Sequence, residues 1–127
     1  VLVVEDTSSN YLLISAMLSK HYNLLHAVNG EQAVAMVKEY KIDLLLMDMK
    51  MPVMDGLEAV RAIRALDRKE AKTIPIIAMT ALTAHAFESD KVAALKSGCN
   101  DYLVKPVDKA RLMSVLRKYC HPSTLIL

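Results

Sequence analysis

An α/β fold, with a doubly wound sheet of five parallel strands, is what this 127-residue chain predicts. Three observations carry that prediction. Short apolar runs alternate five times with longer amphipathic stretches. The runs are nearly unbroken, as strands buried on both faces are. Several of them end in a charged or hydroxyl residue. Alternating βα units imply right-handed crossovers and helices on both faces of the sheet.

Val1 to Val4 reads as the first strand, closed by the acidic pair Glu5-Asp6. A helix from about Ser9 to Lys20 follows, with Leu13, Ile14, Met17 and Leu18 expected on its apolar face. A weaker second strand covers about Leu24 to Val28. Asn29-Gly30 punctuates it, and the next helix runs to Tyr40 with Ala33, Met36, Val37 and Tyr40 at helical spacing. Ile42 to Met47 is the third strand, ending in Asp48. A loop rich in methionine and proline leads to Asp55, a candidate N-cap for a helix with Ala59, Val60, Ile63 and Leu66 on one side. Ile74 to Met79 is the fourth strand, and a fourth helix spans about Ala84 to Ser97, closed by Gly98. Tyr102 to Val104 is a short fifth strand. Leu112, Val115, Leu116 and Tyr119 line the fifth helix.

The length fits one domain able to bury roughly two-thirds of its unfolded surface without disulfide or metal. The division expected is residues 1–120 as the domain and 121–127 as a tail, with both ends read as cuts from a longer polypeptide. A net charge of +2, with scattered basic residues, argues against direct nucleic-acid binding. Leu44 to Met47, the apolar run of the third strand, is far too short for membrane contact by a spanning helix. Cys99 and Cys120 lack metal-ligand spacing and read as reduced thiols of a cytoplasmic protein. His21, His26, His85 and His121 share no ligand spacing and read as surface or edge residues; His85 is the one to watch, near Thr80. Met47, Met49, Met51 and Met54 crowd Asp48 without His or Cys among them, so they read as packing, not as copper ligands.

Ligands of such sheets sit at the carboxyl ends of the strands. There the chain delivers Glu5, Asp6, Asp48, Thr80 and Lys105, with nothing from the second strand. Two like charges about 4 Å apart repel by roughly 4 kcal/mol at an effective dielectric of about 20. One lysine does not offset three carboxylates. A hard divalent cation with few protein ligands does, and Mg²⁺ suits such a site. Carboxylate, cation, ammonium and hydroxyl together suffice for phosphoryl transfer, which needs mostly positioning and charge neutralisation.

The stretches VLVVED, LLLMDMKMPVMDG, IIAMTA and GCNDYLVKP, in this order and each at a strand end, resemble the response-regulator receiver domain of two-component signalling. The resemblance covers essentially the whole chain. It implies a flavodoxin-like sheet of order 2-1-3-4-5 with five helices. It also implies roles: Asp48 as the phosphoacceptor, Asp6 as a direct Mg²⁺ ligand, and Glu5 as one acting mainly through water. The backbone carbonyl of Lys50 is a further ligand in this reading. Thr80 would hydrogen-bond the phosphoryl group, Lys105 would pair with its oxygens, and Tyr102 would turn when Thr80 moves. Lys105-Pro106 would be a cis peptide. Glu5 departs from the aspartate of many relatives. Lys50 and Leu82 offer nothing to orient an attacking water, so slow autodephosphorylation is expected. A histidine kinase or histidine phosphotransfer domain would donate the phosphoryl group. The fourth helix, fifth strand and fifth helix would form the readout and dimer face. The motif style resembles receivers fused to hybrid sensor histidine kinases, with a DNA-binding response regulator as the alternative.

Blander readings stand beside these. Asp48 would cap a loop, Thr80 would be a strand residue, Lys105 a solvated lysine and Tyr102 core. Rival functions are an FMN-binding module, an aspartate phosphatase and a receiver acting by contact alone. Glu5 and Asp6 would repel a flavin phosphate, and no glycine opens that loop. The phosphatase reading wants its aspartates after the first strand, and the contact-only reading wants a missing site residue.

Overall fold

The computed structural model describes residues 1–49, 56–67, 69–81, 92, 95–105 and 107–119, the side chains of residues 57, 70, 80 and 81 excepted. Five strands, β1 (Leu2–Val4), β2 (Leu25–Ala27), β3 (Leu45–Asp48), β4 (Ile76–Ala81) and β5 (Asp101–Lys105), form one sheet of order β2-β1-β3-β4-β5. All four pairings are parallel, with Val3 opposite His26 and Leu46, and Ala78 opposite Tyr102.

Because successive strand residues face opposite sides, the sheet divides the interior in two. Leu2, Val4, Leu45, Met47, Ile76 and Ala78 pack on one side against α2 (Gly30–Glu39), α3 (Gly56–Arg64) and α4 (Lys69–Thr73). Val3, Leu46, Ile77, Met79 and Leu103 pack on the other against α1 (Ser8–Leu18) and α5 (Lys109–Tyr119). Each fully buried Leu or Ile contributes about 1.5–3 kcal/mol, so both layers are needed to hold the sheet.

Local chemistry sets the helix ends. The Asn29 side chain accepts from the Gln32 N–H at 2.8 Å, and the Gln32 side chain accepts from the Val28 N–H at 3.0 Å, a reciprocal cap. Asp108 caps α5 through the Arg111 N–H. Gly98, at φ +122°, supplies the positive φ expected at the end of the helical residues 95–97. Arg64, the last residue of α3, donates to the Gly98 carbonyl from both Nε and Nη2, to Ala71 O and to the Asn100 side chain. Asn100 Oδ1 also accepts from the Ile76 N–H, so this one cluster joins α3, α4 and the entries to β4 and β5.

Several expectations are corrected. The described residues contain helix in six places, not five: α4 is additional, a polar KEAKT segment in which Ala71 is the one buried residue among the described side chains. Leu13 faces outward at 61% exposure beside Leu12 at 64%, because Tyr11 to Ile14 is an unbroken apolar run and only Ile14 and Leu18 turn fully inward. Tyr40 ends α2 in extended backbone and is 49% exposed, so the helix stops one residue short of it. β4 starts and ends two residues later than predicted, which places Thr80 inside the strand opposite Val104. Asp55, Cys120, the 121–127 tail and most of the predicted fourth helix lie outside the described residues.

Candidate functional site

β1, β3 and β5 all end at the carboxyl edge of the sheet, β1 beside β3 and β5 beyond β4, and the residues there follow from the register. Asp48 is the last residue of β3, Lys105 the last of β5, and Glu5 follows β1 directly. Lys105 Nζ lies 3.0 Å from Asp48 Oδ2 and 3.1 Å from Glu5 Oε2, bridging strands that are not neighbours in the sheet. Glu5 is fully buried, Asp48 is 3% exposed, and Asp6 is exposed. One oxygen from each of the three acids lies within 4.8 Å of the others.

The second oxygen of Glu5 is also taken. Glu5 Oε1 accepts from the Thr7 N–H at 3.3 Å and from Asn10 Nδ2 at 3.4 Å. Burial, and after it the charge of Asp48, pushes the Glu5 carboxyl above its ordinary pKa, against the opposing pull of Lys105 and Thr7. For Lys105, burial favours the neutral amine, but the hydrogen bonds and charges of Asp48 and Glu5 outweigh it and the pKa rises. The lysine is thereby held as a cation between two carboxylates.

Three carboxylates and one ammonium leave a deficit of two positive charges, which a divalent cation cancels. The donor set is all oxygen, with Asp6 open to solvent and both Glu5 oxygens engaged by protein donors. That combination suits a hard cation that keeps part of its water shell. A cavity of about 90 Å³ opens beside Glu5 and Lys105, walled by Leu13, Ile14 and Met17 of α1 and by Val107.

The structure thus brings together Glu5, Asp6, Asp48 and Lys105 as the sequence implies. Thr80 has its backbone at the same edge, with its side chain outside the described part, as are Lys50, Leu82, His85 and Pro106. Tyr102 packs, partly buried, against the α2/α3 layer, one strand residue from Leu103. Met47 and Met49 are buried in that same layer, as packing residues are, while Met51 and Met54 fall outside the described part. Two participants escaped the sequence. Asn10 reaches Glu5 from the first turn of α1. His26, from the strand expected to contribute nothing, meets the Glu5 backbone carbonyl at 2.8 Å.

Residues 1–117 match the family model for the response regulator receiver domain. The chain is 38% identical over 122 residues to the signal transduction histidine-protein kinase BarA of Escherichia coli, covering 94% of this chain and 12% of BarA. It is 37% identical over 117 residues to Protein PilH of Pseudomonas aeruginosa, covering 91% of this chain and 93% of PilH. The chain therefore spans about an eighth of BarA and nearly all of PilH. Among solved structures, the receiver domain of the sensor histidine kinase PA1611 of Pseudomonas aeruginosa superposes with a TM-score of 0.81 at 39% identity, covering 93% of both chains. That protein has a magnesium ion coordinated in its active-site cleft. The receiver domain of Ssk1 from Saccharomyces cerevisiae, crystallised with the histidine phosphotransfer protein Ypd1, superposes at 0.82 with 35% identity, covering 93% of this chain and 86% of that one. With the family model spanning nearly the whole chain and the sheet order agreeing, the chain belongs to the response regulator receiver domain family.

Proposed function

We propose that this domain takes a phosphoryl group from a phosphohistidine onto Asp48 in a Mg²⁺-dependent step and changes conformation in response. The observation that carries the reading is the buried Asp48 carboxylate, held 3.0 Å from Lys105 within a cluster of three acids. One Asp48 oxygen attacks phosphorus, the P–N bond to the donor imidazole breaks, and the imidazole takes up a proton. The product is an acyl phosphate on Asp48.

Asp6, Asp48 and the Lys50 backbone carbonyl would hold Mg²⁺, with Glu5 acting through water. The Thr7, Asn10 and Lys105 donors that already engage both Glu5 oxygens support that division, a remaining lone pair on Oε2 being free to take the water. The cation supplies neutralisation of phosphoryl charge when bound. Lys105 holds the carboxylate oriented beforehand, then pairs with phosphoryl oxygens. Thr80 would hydrogen-bond the phosphoryl group, and Tyr102 would turn inward as the β4 end moves, shifting an existing equilibrium. The face of β5, α5 and the helix before Gly98 is the proposed readout and dimer surface. Slow autodephosphorylation is proposed from Lys50 and Leu82.

The donor is proposed to be a histidine kinase or histidine phosphotransfer domain, as the likeness to Ssk1 bound to Ypd1 supports. The parent is proposed to be a cytoplasmically exposed hybrid sensor kinase, as the likeness to BarA supports. No helix among the described residues is long and apolar enough to cross a membrane. Intact mass after incubation with a small phosphodonor tests the reading. One added phosphoryl group that requires Mg²⁺ and is absent in Asp48→Asn is expected. No adduct from either a small donor or a phosphorylated histidine partner would leave a contact-only role.

A further inference from the structure

We propose that His26, stacked on Tyr11, is a positioning residue that holds the Glu5 carbonyl and thereby sets where the acidic pair Glu5-Asp6 stands. The proposal rests on the magnesium reading above and adds a residue that touches neither metal nor phosphoryl group.

His26 Nε2 lies 2.8 Å from the Glu5 carbonyl oxygen. A carbonyl only accepts, so the imidazole carries its proton on Nε2 and donates it. The ring lies flat on Tyr11, with centroids 3.8 Å apart and planes within 4° of parallel. Tyr11 is itself fixed in the first turn of α1 by its N–H to Thr7 O at 3.0 Å. The imidazole is therefore clamped between the edge strand and the helix that follows the acids.

The reason for a side chain here is a ladder that ends early. The Glu5 N–H donates to Ala27 O at 3.0 Å, continuing the β1–β2 pairing by one step. The next parallel step would bring a donor from beyond Ala27 to the Glu5 carbonyl. β2 ends at Ala27, however, and the chain turns away: the Val28 N–H goes to Gln32, and Asn29 becomes the cap of α2. His26 replaces the missing rung. Consecutive β2 residues thus hold both backbone groups of Glu5, and the peptide plane joining Glu5 to Asp6 is fixed.

That plane orients the carboxylates on either side of it. A freed carbonyl would let it rotate, moving Asp6 relative to Asp48 while the sheet stays intact.

The test is calorimetric titration of Mg²⁺ into the 127-residue chain, with the metal-free melting temperature measured beside it. His26→Phe keeps a ring for Tyr11 but lacks the donor. His26→Gln keeps an amide donor of similar reach but lacks the stack. Loss of one hydrogen bond predicts Mg²⁺ binding about 3–10-fold weaker in His26→Phe, and within about twofold of the parent in His26→Gln. Parent-like binding by His26→Phe overturns the proposal. So does His26→Gln binding as weakly as His26→Phe, which would make the stack the cause. A parent chain that binds no Mg²⁺ removes the magnesium reading and this proposal together; binding by the parent with an unaffected His26→Phe removes this proposal alone.

Discussion

Lys105 and Asp48 meet at 3.0 Å although β4 lies between their strands, and the same ammonium reaches Glu5 at 3.1 Å. Lys105 therefore occupies, in the metal-free protein, part of the role a cation would take. Replacing it by methionine leaves three carboxylates uncompensated. Without metal, Lys105→Met should lose about 1–3 kcal/mol, less than a fully buried pair would because Lys105 is partly exposed. Mg²⁺ binding should tighten as its competitor is removed, while phosphorylation slows. Calorimetry and intact mass read the two halves; unchanged Mg²⁺ affinity would show that the ammonium does not compete.

Of the three acids, Asp6 is the exposed one, and the Thr7 hydroxyl donates to it at 3.4 Å. Its charge adds repulsion to Glu5 and Asp48 without a described lysine of its own. Asp6→Asn should raise the metal-free melting temperature by roughly 2–5 °C. The same variant should lose the further stabilisation that Mg²⁺ gives the parent chain. A lower melting temperature would mean that Asp6 stabilises its loop more than it repels its neighbours.

Gly56 opens α3 under the site. A Cβ there would fall 2.6 Å from Met49 Cα and 2.7 Å from the Asp48 carbonyl oxygen, and neither is a flexible group. Gly56→Ala should cost about 1–3 kcal/mol through forced backbone movement. Because the atoms displaced flank Asp48, the proposed phosphoacceptor, phosphorylation should slow more than in a variant equally destabilised elsewhere. Chemical denaturation paired with phosphorylation rates separates these effects.

Cys99 is buried, and burial pushes its thiol from an ordinary 9.0 to about 11, against small opposing effects of Ser97 and Arg64. The folded value is raised, so this group's contribution is complete below 9.0 and is lost as pH rises through about 11. The loss should amount to about 2–3 kcal/mol. In a Cys120→Ser background the remaining thiol should resist a thiol reagent until the chain unfolds. Rapid labelling of native protein would contradict the burial.

Much of this was legible because it follows from burial on both faces. The runs around Leu45 and Ile77 admit no other element, and Asp48 had to stand where its run ended. α1 was harder, since Tyr11 to Ile14 is apolar throughout and periodicity does not choose a face. α4 offered only Ala71 to signal it. Arg64 looked like any basic residue closing a helix, though its partners lie at residues 71, 98 and 100. His26 carried no motif at all. Its meaning depends on where β2 stops, and strand ends are set by pairing that only the folded chain possesses.

The division of the interior by the sheet has a consequence for how this domain tolerates change over generations. Side chains of the α1/α5 layer and those of the α2/α3/α4 layer are separated by backbone, so a poor fit on one side is not repaired from the other. Each layer can drift through its own succession of compatible residues, and substitutions across the sheet should combine without surprise. The carboxyl edge, where Glu5, Asp48 and Lys105 meet, is answerable to both. Inheritance can rework the two interiors separately, but it must keep that edge in common.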